Sequence, residues 1–252
     1  MMSQLIAIIG GSGLSDGIEG FELRSYETVK TVYGAPSARP AKGVLGGAEV
    51  VFLPRHGSGH TVAPHKINYR ANIAALSELG VSRIIAINAV GGITSPMAPD
   101  TLALPNQIID YSWGRESTFY DGVDNPLQHV DFSEPYSDSL RQSLLECAAN
   151  LKLSCVDGGV YACTQGPRLE TAAEIQRLKR DGCDLVGMTG MPEAVLAREL
   201  GIEYASLCLV VNWGAGIQDE PITMAQIEAA LARGVGKVQT LLSAWLVAHS
   251  RT

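Results

Sequence analysis

The sequence predicts an α/β protein in which a mostly parallel or mixed β-sheet is covered by helices on both faces. Short, strongly apolar runs alternate along the chain with longer segments of helical periodicity, as in folds whose strands are buried on both sides. Each apolar run ends in glycine or a small polar residue. Residues 1–252 contain no repetitive or linker-like stretch, so we expect one domain.

Five apolar runs are predicted as strands, and five other segments as helices. The predicted strands comprise residues 5–9, 49–53, 83–87, 184–188 and 204–211. The predicted helices comprise residues 68–79, 137–150, 169–180, 192–200 and 223 to the end of the chain. Residues 111–136 are rich in Tyr, Asp, Ser and Pro and are predicted to form a long ordered loop. Loops of that length inside a compact domain are usually functional.

The composition argues against several classes of protein. Hydrophobic residues make up 46% of the chain, which predicts a sizeable buried core. The formal net charge of −7 argues against a general surface for nucleic acids or anionic membranes. No apolar run reaches the length of a transmembrane helix, and the apolar start lacks the basic region of a signal peptide. Five scattered cysteines without a C-x-x-C pair favour a reducing cytoplasm.

Motifs that suit an anion follow the first two predicted strands. Ligands of α/β proteins bind at the carboxyl ends of strands. Closely spaced glycines in the segment GGSGL, residues 10–14, let backbone N–H groups turn toward an anion, and Ser12 adds a hydroxyl. A plain tight turn is the alternative for this segment. Arg55 and His56 follow the second predicted strand, and the planar fork of the arginine suits a phosphate.

A zinc site is the rival interpretation of the histidines in this region. His56, His60 and His65 are spaced four and five residues apart, as ligands on a helix would be. Two glycines and a proline lie between them, and these residues do not support a regular helix. We therefore expect no metal site.

A second group of residues suits a flat heterocycle. Leu169 offers an apolar surface beside the carboxylate of Glu170. Thr189, at the end of a predicted strand, belongs with the anion-binding group instead. Asn212 follows the last predicted strand, and its amide both donates and accepts, which suits the edge of a purine. A strand-end cap is the plainer interpretation of Asn212. The segment NAVGGI, residues 88–93, suits either the close approach of a ligand or a structural turn.

These motifs, in their order along nearly the whole chain, resemble the trimeric purine nucleoside phosphorylase and methylthioadenosine phosphorylase family. The matching motifs are GGSGL, PRHGSGH, HKINYRANI, NAVGG, HVDFSEPY, GPRLETAAEI, GMTGMPEA and VVNWGAG. The resemblance implies the nucleoside phosphorylase fold, with a central mixed, twisted sheet that is partly closed into a barrel and covered by helices. It also implies phosphorolysis of a purine nucleoside, with inorganic phosphate as co-substrate and no metal or organic cofactor.

The resemblance also assigns roles to individual residues. It implies that phosphate is bound by Ser12, Arg55, His56, Asn88, Ala89 and Thr189. It implies that the nucleoside is bound by His60, Leu169, Glu170, Met188, Asn212, Gly214, Met224 and Ile227, with Asn212, Glu170 and His56 taking part in catalysis. His129 matches a histidine that enters the neighbouring subunit's site, which implies a homotrimer and leaves a hexamer open. Leu169 stands where the family usually has Phe.

Three places separate the substrate classes of this family. Methylthioadenosine phosphorylases tend to have serine at the position of Glu170 and aspartates near Asn212. The Glu–Asn pair is typical of enzymes for 6-oxopurines, since a carboxylate accepts N1–H of hypoxanthine. His60, Met224 and Ile227 match the 5′ pocket of methylthio-type enzymes. The combination indicates S-methyl-5′-thioinosine, with S-methyl-5′-thioadenosine, or inosine and guanosine, as alternatives. A catalytically idle binding module is disfavoured by the complete set of phosphate donors.

Overall fold

The computed structural model describes residues 5–14, 17–123 and 125–249. Its strands are β1 (Leu5–Gly10), β2 (Glu22–Tyr26), β3 (Ala41–Leu45), β4 (Ala48–Pro54), β5 (Val81–Gly92), β6 (Leu102–Leu104), β7 (Gln107–Asp110), β8 (Cys155–Asp157), β9 (Val160–Cys163), β10 (Leu185–Gly187) and β11 (Glu203–Trp213). Its helices are α1 (Tyr69–Glu78), α2 (Asp138–Asn150), α3 (Ala172–Arg180), α4 (Gly190–Glu199) and α5 (Met224–His249). The predicted ends of the domain and of the last helix, residues 1–4 and 250–252, lie outside the described residues.

The four longest strands form the centre of one 11-stranded sheet. β1 lies between β4 and β5 and is parallel to both, and β11 is parallel to β5 over almost its full length. The carboxyl ends of these four strands therefore lie at one edge of the sheet. β2 and β3 extend the sheet beyond β4 in antiparallel orientation, and β10 joins β5 antiparallel. The predicted mixed sheet is confirmed.

The sheet branches at β5 and does not close. On one side of β5, β1 pairs with its first half and β10 pairs with Gly91 and Gly92; β11 takes the other side. One branch continues from β10 to β9 and β7, and the other from β11 to β6 and β8. Among the described residues, the partly closed barrel that the family resemblance implied is therefore an open, branched sheet.

Helices cover both faces of the central strands. Successive residues of a strand point to opposite faces. In β1, Ala7 and Ile9 pack in an apolar cluster with residues of α1 and α4, whereas Ile6 and Ile8 pack in a second cluster with residues of α2 and α5. Burial from both sides explains why these strands are almost continuously apolar. None of the helices in the described part of the chain is long and apolar enough to span a membrane.

Two strands continue past their predicted ends. β5 continues to Gly92 and β11 to Trp213, so the segment 88–92 and Asn212 lie inside strands and not after them. Glycines and polar amides suggested that the strands end earlier, but backbone pairing between β5 and β11 continues through Gly92 and Trp213. The predicted ends of these two strands, at residues 87 and 211, are therefore too early.

One helix begins later than predicted, and six strands of the structure were not predicted: β2, β3, β6, β7, β8 and β9. All residues of β2 are exposed, and β6 and β8 have three residues each, too few for a periodic pattern. The predicted helix 169–180 begins later, at Ala172, because Thr171 and Glu174 form a capping box. Leu169 and Glu170 therefore lie in the loop before α3. The described part of the segment 111–136 contains no helix or strand, as predicted.

Candidate active site

A cleft of about 300 Å³ opens at the carboxyl ends of β1, β4, β5 and β11. It gathers nearly all of the predicted site residues: Ser12, Arg55, His56, His60, Asn88, Ala89, Leu169, Glu170, Met188, Thr189, Asn212, Gly214, Met224 and Ile227. The sheet topology explains this gathering, because strand ends that are distant in the sequence meet at one edge.

The glycine loop after β1 passes directly over the guanidinium group of Arg55. A Cβ atom on Gly11 would lie 2.9 Å from Arg55 Nη1 and 2.5 Å from the carbonyl oxygen of Ile87, so only glycine fits here. Ser12 follows in the loop and lines the cleft. The loop and the arginine together form a compact set of donors at one end of the cleft, which we call the anion end.

A buried carboxylate holds Arg55 in place. Arg55 Nε and Nη2 donate to the two carboxylate oxygens of Glu193, each at 2.7 Å. Arg55 Nη1 donates to the Ile87 carbonyl oxygen at 2.8 Å. Tyr204 Oη donates to Glu193 Oε1 at 2.9 Å. Arg55 and Glu193 are fully buried. Burial lowers the pKa of Arg55, but the Glu193 carboxylate outweighs burial and holds that pKa above its ordinary value.

His56 presents a neutral imidazole at the anion end. Its Nδ1 lies 2.8 Å from the carbonyl oxygen of Val62. A carbonyl only accepts, so Nδ1 carries the proton and Nε2 is left as an acceptor. Burial, together with the charge of Arg55, lowers the pKa of His56 to about 4, so the ring is uncharged at neutral pH. The His60 ring stacks on it, with ring centroids 4.2 Å apart.

A chain of hydrogen bonds ties the start of α4 to β5 and β11. Thr189 Oγ1 donates to Asn88 Oδ1 at 2.9 Å, and Asn88 Nδ2 donates to Ser206 Oγ at 2.7 Å. All three residues are buried. Ala89, the next residue of β5, is half-buried and lines the cleft. Asn88 therefore fixes the position of the Thr189 hydroxyl in the cleft lining.

The cleft lining also carries a carboxylate and an amide. Thr164 Oγ1 donates to Glu170 Oε1 at 2.6 Å, which fixes one oxygen of the carboxylate. β11 carries one extra residue relative to β5 between Val210 and Asn212, and such bulges re-aim side chains beside active sites. The Asn212 amide lies over Gly91, where a Cβ atom would be 3.4 Å from Nδ2. We call Glu170 and Asn212 the polar pair.

The middle and the mouth of the cleft are largely apolar. Met188 is half-buried, and its sulfur would lie 2.5 Å from a Cβ atom on Gly166. Leu169 is 42% exposed and Met224 is 63% exposed, which places both at the mouth. Ile227, one turn further along α5, is half-buried beside them. This surface suits a ligand with an apolar group pointing out of the cleft.

Arg115, a residue that the sequence analysis missed, clamps two segments of the cleft. Its Nη1 donates to the carbonyl oxygens of Met188, at 2.9 Å, and Met191, at 2.5 Å. Its Nη2 donates to the carbonyl oxygens of Thr164, at 3.2 Å, and Gln165, at 2.9 Å. These partners are backbone atoms at least 49 residues away, so no local motif signals the clamp.

His129 is the one predicted site residue that does not line the cleft in the described part of the chain. It lies in the long loop and is exposed to solvent. Its expected entry into the site of a neighbouring subunit therefore stays a prediction.

The fold and the cleft define an α/β protein whose lining residues suit an anion and a flat heterocycle, as in enzymes that cleave nucleosides with phosphate. A sequence profile described as the Phosphorylase superfamily matches residues 5–246. The chain belongs to this family.

Known relatives span almost the whole chain. A Xylella fastidiosa protein named probable S-methyl-5′-thioinosine phosphorylase is 52% identical over 96% of this chain and 98% of its own. A 6-oxopurine nucleoside phosphorylase of Pyrococcus furiosus is 49% identical over 88% of this chain and 84% of its own. The solved structure of methylthioadenosine phosphorylase from Schistosoma mansoni in complex with adenine has a TM-score of 0.90 at 32% identity, covering 99% of this chain and 93% of that chain. The family resemblance of the motifs is confirmed.

Proposed function

We propose that this protein catalyses the phosphorolysis of S-methyl-5′-thioinosine, giving the free base hypoxanthine and 5-methylthioribose 1-phosphate. The observation that carries the proposal is a single cleft with an anion end, a polar pair and an apolar mouth. The names of two relatives support it, since one is a probable S-methyl-5′-thioinosine phosphorylase and the other acts on 6-oxopurine nucleosides. The protein is then a pentosyltransferase.

Phosphate binds at the anion end in this proposal. Its ligands are Ser12, Arg55, His56, Asn88, Ala89 and Thr189. Arg55 supplies charged donors held in a fixed orientation, and His56 Nε2 accepts the hydrogen of the hydrogen phosphate ion. The anion lies against C1′ of the sugar, where positive charge builds as the glycosidic bond breaks. Positioning and electrostatics supply the rate, so the proposed reaction needs neither a metal nor an organic cofactor.

The polar pair selects the base and stabilises it as a leaving group. Glu170 accepts N1–H of a 6-oxopurine, while Thr164 holds one of its oxygens. Asn212 donates to O6 and accepts from protonated N7, so negative charge on the departing purine is stabilised. Leu169 forms the apolar wall of this pocket, and Gly214 leaves room beside it.

The sugar and its 5′ substituent lie against the apolar part of the cleft. Met188 lies along the ribose, and the methylthio group contacts His60, Met224 and Ile227 at the mouth. Burial of an apolar methylthio group is favourable there. A 5′ hydroxyl would instead lose its hydrogen bonds to water and find few hydrogen-bond partners on this surface. A thioether also makes favourable contacts with aromatic rings such as that of His60.

Two other substrates are supported by particular relatives. S-methyl-5′-thioadenosine is the second candidate, because the structure resembles that of a methylthioadenosine phosphorylase at a TM-score of 0.90. Inosine and guanosine are the third, because a 49% identical relative is a 6-oxopurine nucleoside phosphorylase.

The proposed assembly is a homotrimer, with hexamers as a further possibility. An exposed His129 outside the cleft of its own chain suits a residue that enters a neighbouring site. The proposed compartment is the cytoplasm, because all five cysteines are free thiols, which suits a reducing environment.

A comparison of three nucleosides tests the proposal. At equal concentrations with phosphate, kcat/KM for S-methyl-5′-thioinosine should exceed that for S-methyl-5′-thioadenosine roughly tenfold to a hundredfold, because adenine leaves the Glu170 carboxylate without a donor. The kcat/KM for S-methyl-5′-thioinosine should also exceed the kcat/KM for inosine by about tenfold, since inosine lacks the apolar 5′ group. Chromatographic measurement of the released base checks both ratios. Reactions without phosphate are the control and should release no base; base release in its absence would indicate hydrolysis.

Replacement of Arg115 tests the clamp behind the cleft. Arg115→Ala should raise KM for the nucleoside about tenfold, because Met188 and the loop carrying Glu170 lose their shared anchor, and should change KM for phosphate much less. Steady-state kinetics with each substrate varied in turn gives the two values. Arg70→Ala is the matched control, since the ion pair of Arg70 with the exposed Glu116 joins the same loop at 3.1 Å but lies outside the cleft lining among the described residues. Equal effects of the two substitutions would assign Arg115 to general stability.

A further inference from the structure

The buried ion pair between Arg55 and Glu193 has a consequence for the charge of the anion end. Glu193 is not part of the cleft lining in the described residues, yet it binds two of the three donor nitrogens of Arg55. Tyr204 donates a third hydrogen bond to the same carboxylate. Glu193 therefore does not contact a ligand directly; it orients the guanidinium group of Arg55 and opposes the positive charge at the anion end.

The titratable side chains that line the cleft are Arg55, His56, His60 and Glu170. Burial lowers the pKa values of both His56 and His60, so both rings are neutral at neutral pH. The positive charge of Arg55 is balanced by the negative charge of the Glu193 carboxylate, 2.7 Å away. Among the described residues, the anion end therefore has donors in place but no net positive charge.

We propose that Glu193 is the positioning residue that sets the affinity of the cleft for phosphate. The carboxylate holds the guanidinium group so that its remaining N–H groups face the anion. At the same time it cancels the charge that would bind a dianion tightly. The site thus recognises phosphate by geometry, and both phosphate and a sugar phosphate product leave readily. The inference rests on the proposed binding of phosphate at this end of the cleft.

The test replaces Glu193 by glutamine and measures the binding of inorganic phosphate. Glu193→Gln keeps the size of the side chain and one acceptor oxygen but removes the negative charge. Two charges several ångströms apart interact appreciably at the effective dielectric constant of a protein, so the Kd for phosphate should fall by about tenfold or more. Thermal unfolding across a phosphate titration gives this Kd, because a ligand of the folded state at concentration L stabilises it by RT ln(1 + L/Kd), so Tm rises with the ratio of phosphate concentration to Kd. KM for the nucleoside should stay within about threefold of the wild-type value.

Tyr204→Phe is the matched control. It removes one hydrogen bond from Glu193 and leaves the charge in place, so the Kd for phosphate should stay within about twofold of wild type. Both variants lower the stability of the unliganded protein, because each disturbs a buried polar network. A purely structural role of Glu193 predicts lower Tm values in both variants with the same phosphate Kd as wild type, and that result would overturn the inference.

A measurement on the wild-type protein covers the case in which Glu193→Gln does not fold. A site without net positive charge should bind phosphate with a Kd that changes less than about twofold between low and moderate sodium chloride concentrations, since salt screens little net attraction. Severalfold weakening by salt would contradict the inference. Absence of any phosphate-induced stabilisation of wild-type protein would instead overturn the proposed function, and the inference with it.

Discussion

The double variant Glu170→Ser, Asn212→Asp is expected to prefer S-methyl-5′-thioadenosine, reversing the preference expected of the wild-type protein. Serine presents a donor to the bare N1 of adenine, and a carboxylate at position 212 accepts the 6-amino group. In the wild-type cleft, adenine leaves the Glu170 carboxylate facing a lone pair. One unpaired buried contact costs about 1–3 kcal/mol, which corresponds to roughly tenfold to a hundredfold in kcat/KM. The ratio of kcat/KM for the two nucleosides, measured in both proteins, checks the reversal.

Thr164→Val tests whether the orientation of the Glu170 carboxylate matters, because Glu170 itself stays in place. The substitution removes the 2.6 Å hydrogen bond to Glu170 Oε1 but keeps the size of the side chain. It should lower kcat/KM for S-methyl-5′-thioinosine by about tenfold and have a smaller effect on S-methyl-5′-thioadenosine.

If the wild-type protein cleaves both nucleosides equally well, Glu170 and Asn212 do not select the 6-oxo group, and the substrate assignment fails while family membership stands.

The fold could be predicted for the strands that are buried on both faces of the sheet. β1, β4, β5 and β11 are nearly continuous apolar runs, and the helices between them have clear periodicity. The strands that were missed carry no such signal. β2 is exposed along its whole length, and β6 and β8 are short strands whose existence depends on the partner strand β11 or β6 beside them. The branch at β5 is likewise a property of pairing, which a single strand sequence does not encode.

The candidate site could be predicted at most of the residues that line the cleft, because these lie in short recognisable motifs, several of them near strand ends. Ser12, Arg55 and Glu170 all line the cleft as expected. The residues that hold them were missed. Glu193 lies 138 residues from Arg55 in the sequence, and Arg115 contacts backbone atoms of distant segments. Contacts of this kind are fixed by the fold, so they become visible only in three dimensions.

Mixing two inactive variants should restore activity if His129 completes the site of a neighbouring subunit. His129→Ala chains keep an intact cleft but donate no histidine, whereas Asn212→Ala chains have a defective cleft but donate His129. In a randomly mixed oligomer, about half of the clefts are intact ones on His129→Ala chains, and about half of the neighbouring chains are Asn212→Ala chains that donate His129. Both conditions therefore hold at about one quarter of all sites. Activity should therefore rise from near zero to about a quarter of wild type after subunit exchange.

The choice of Asn212→Ala follows from the structure. Arg55→Ala would also inactivate the cleft, but it would leave the Glu193 carboxylate buried without its partner, at a cost of about 3–5 kcal/mol in stability. Asn212 is half-buried and has no charged partner among the described residues, so its loss affects the cleft more than the fold. The control mixes His129→Ala chains with chains carrying both substitutions, which supply no histidine and should restore nothing. A wild-type protein that sediments as a fully active monomer would rule out the shared site, because His129 would then have no neighbouring cleft to enter.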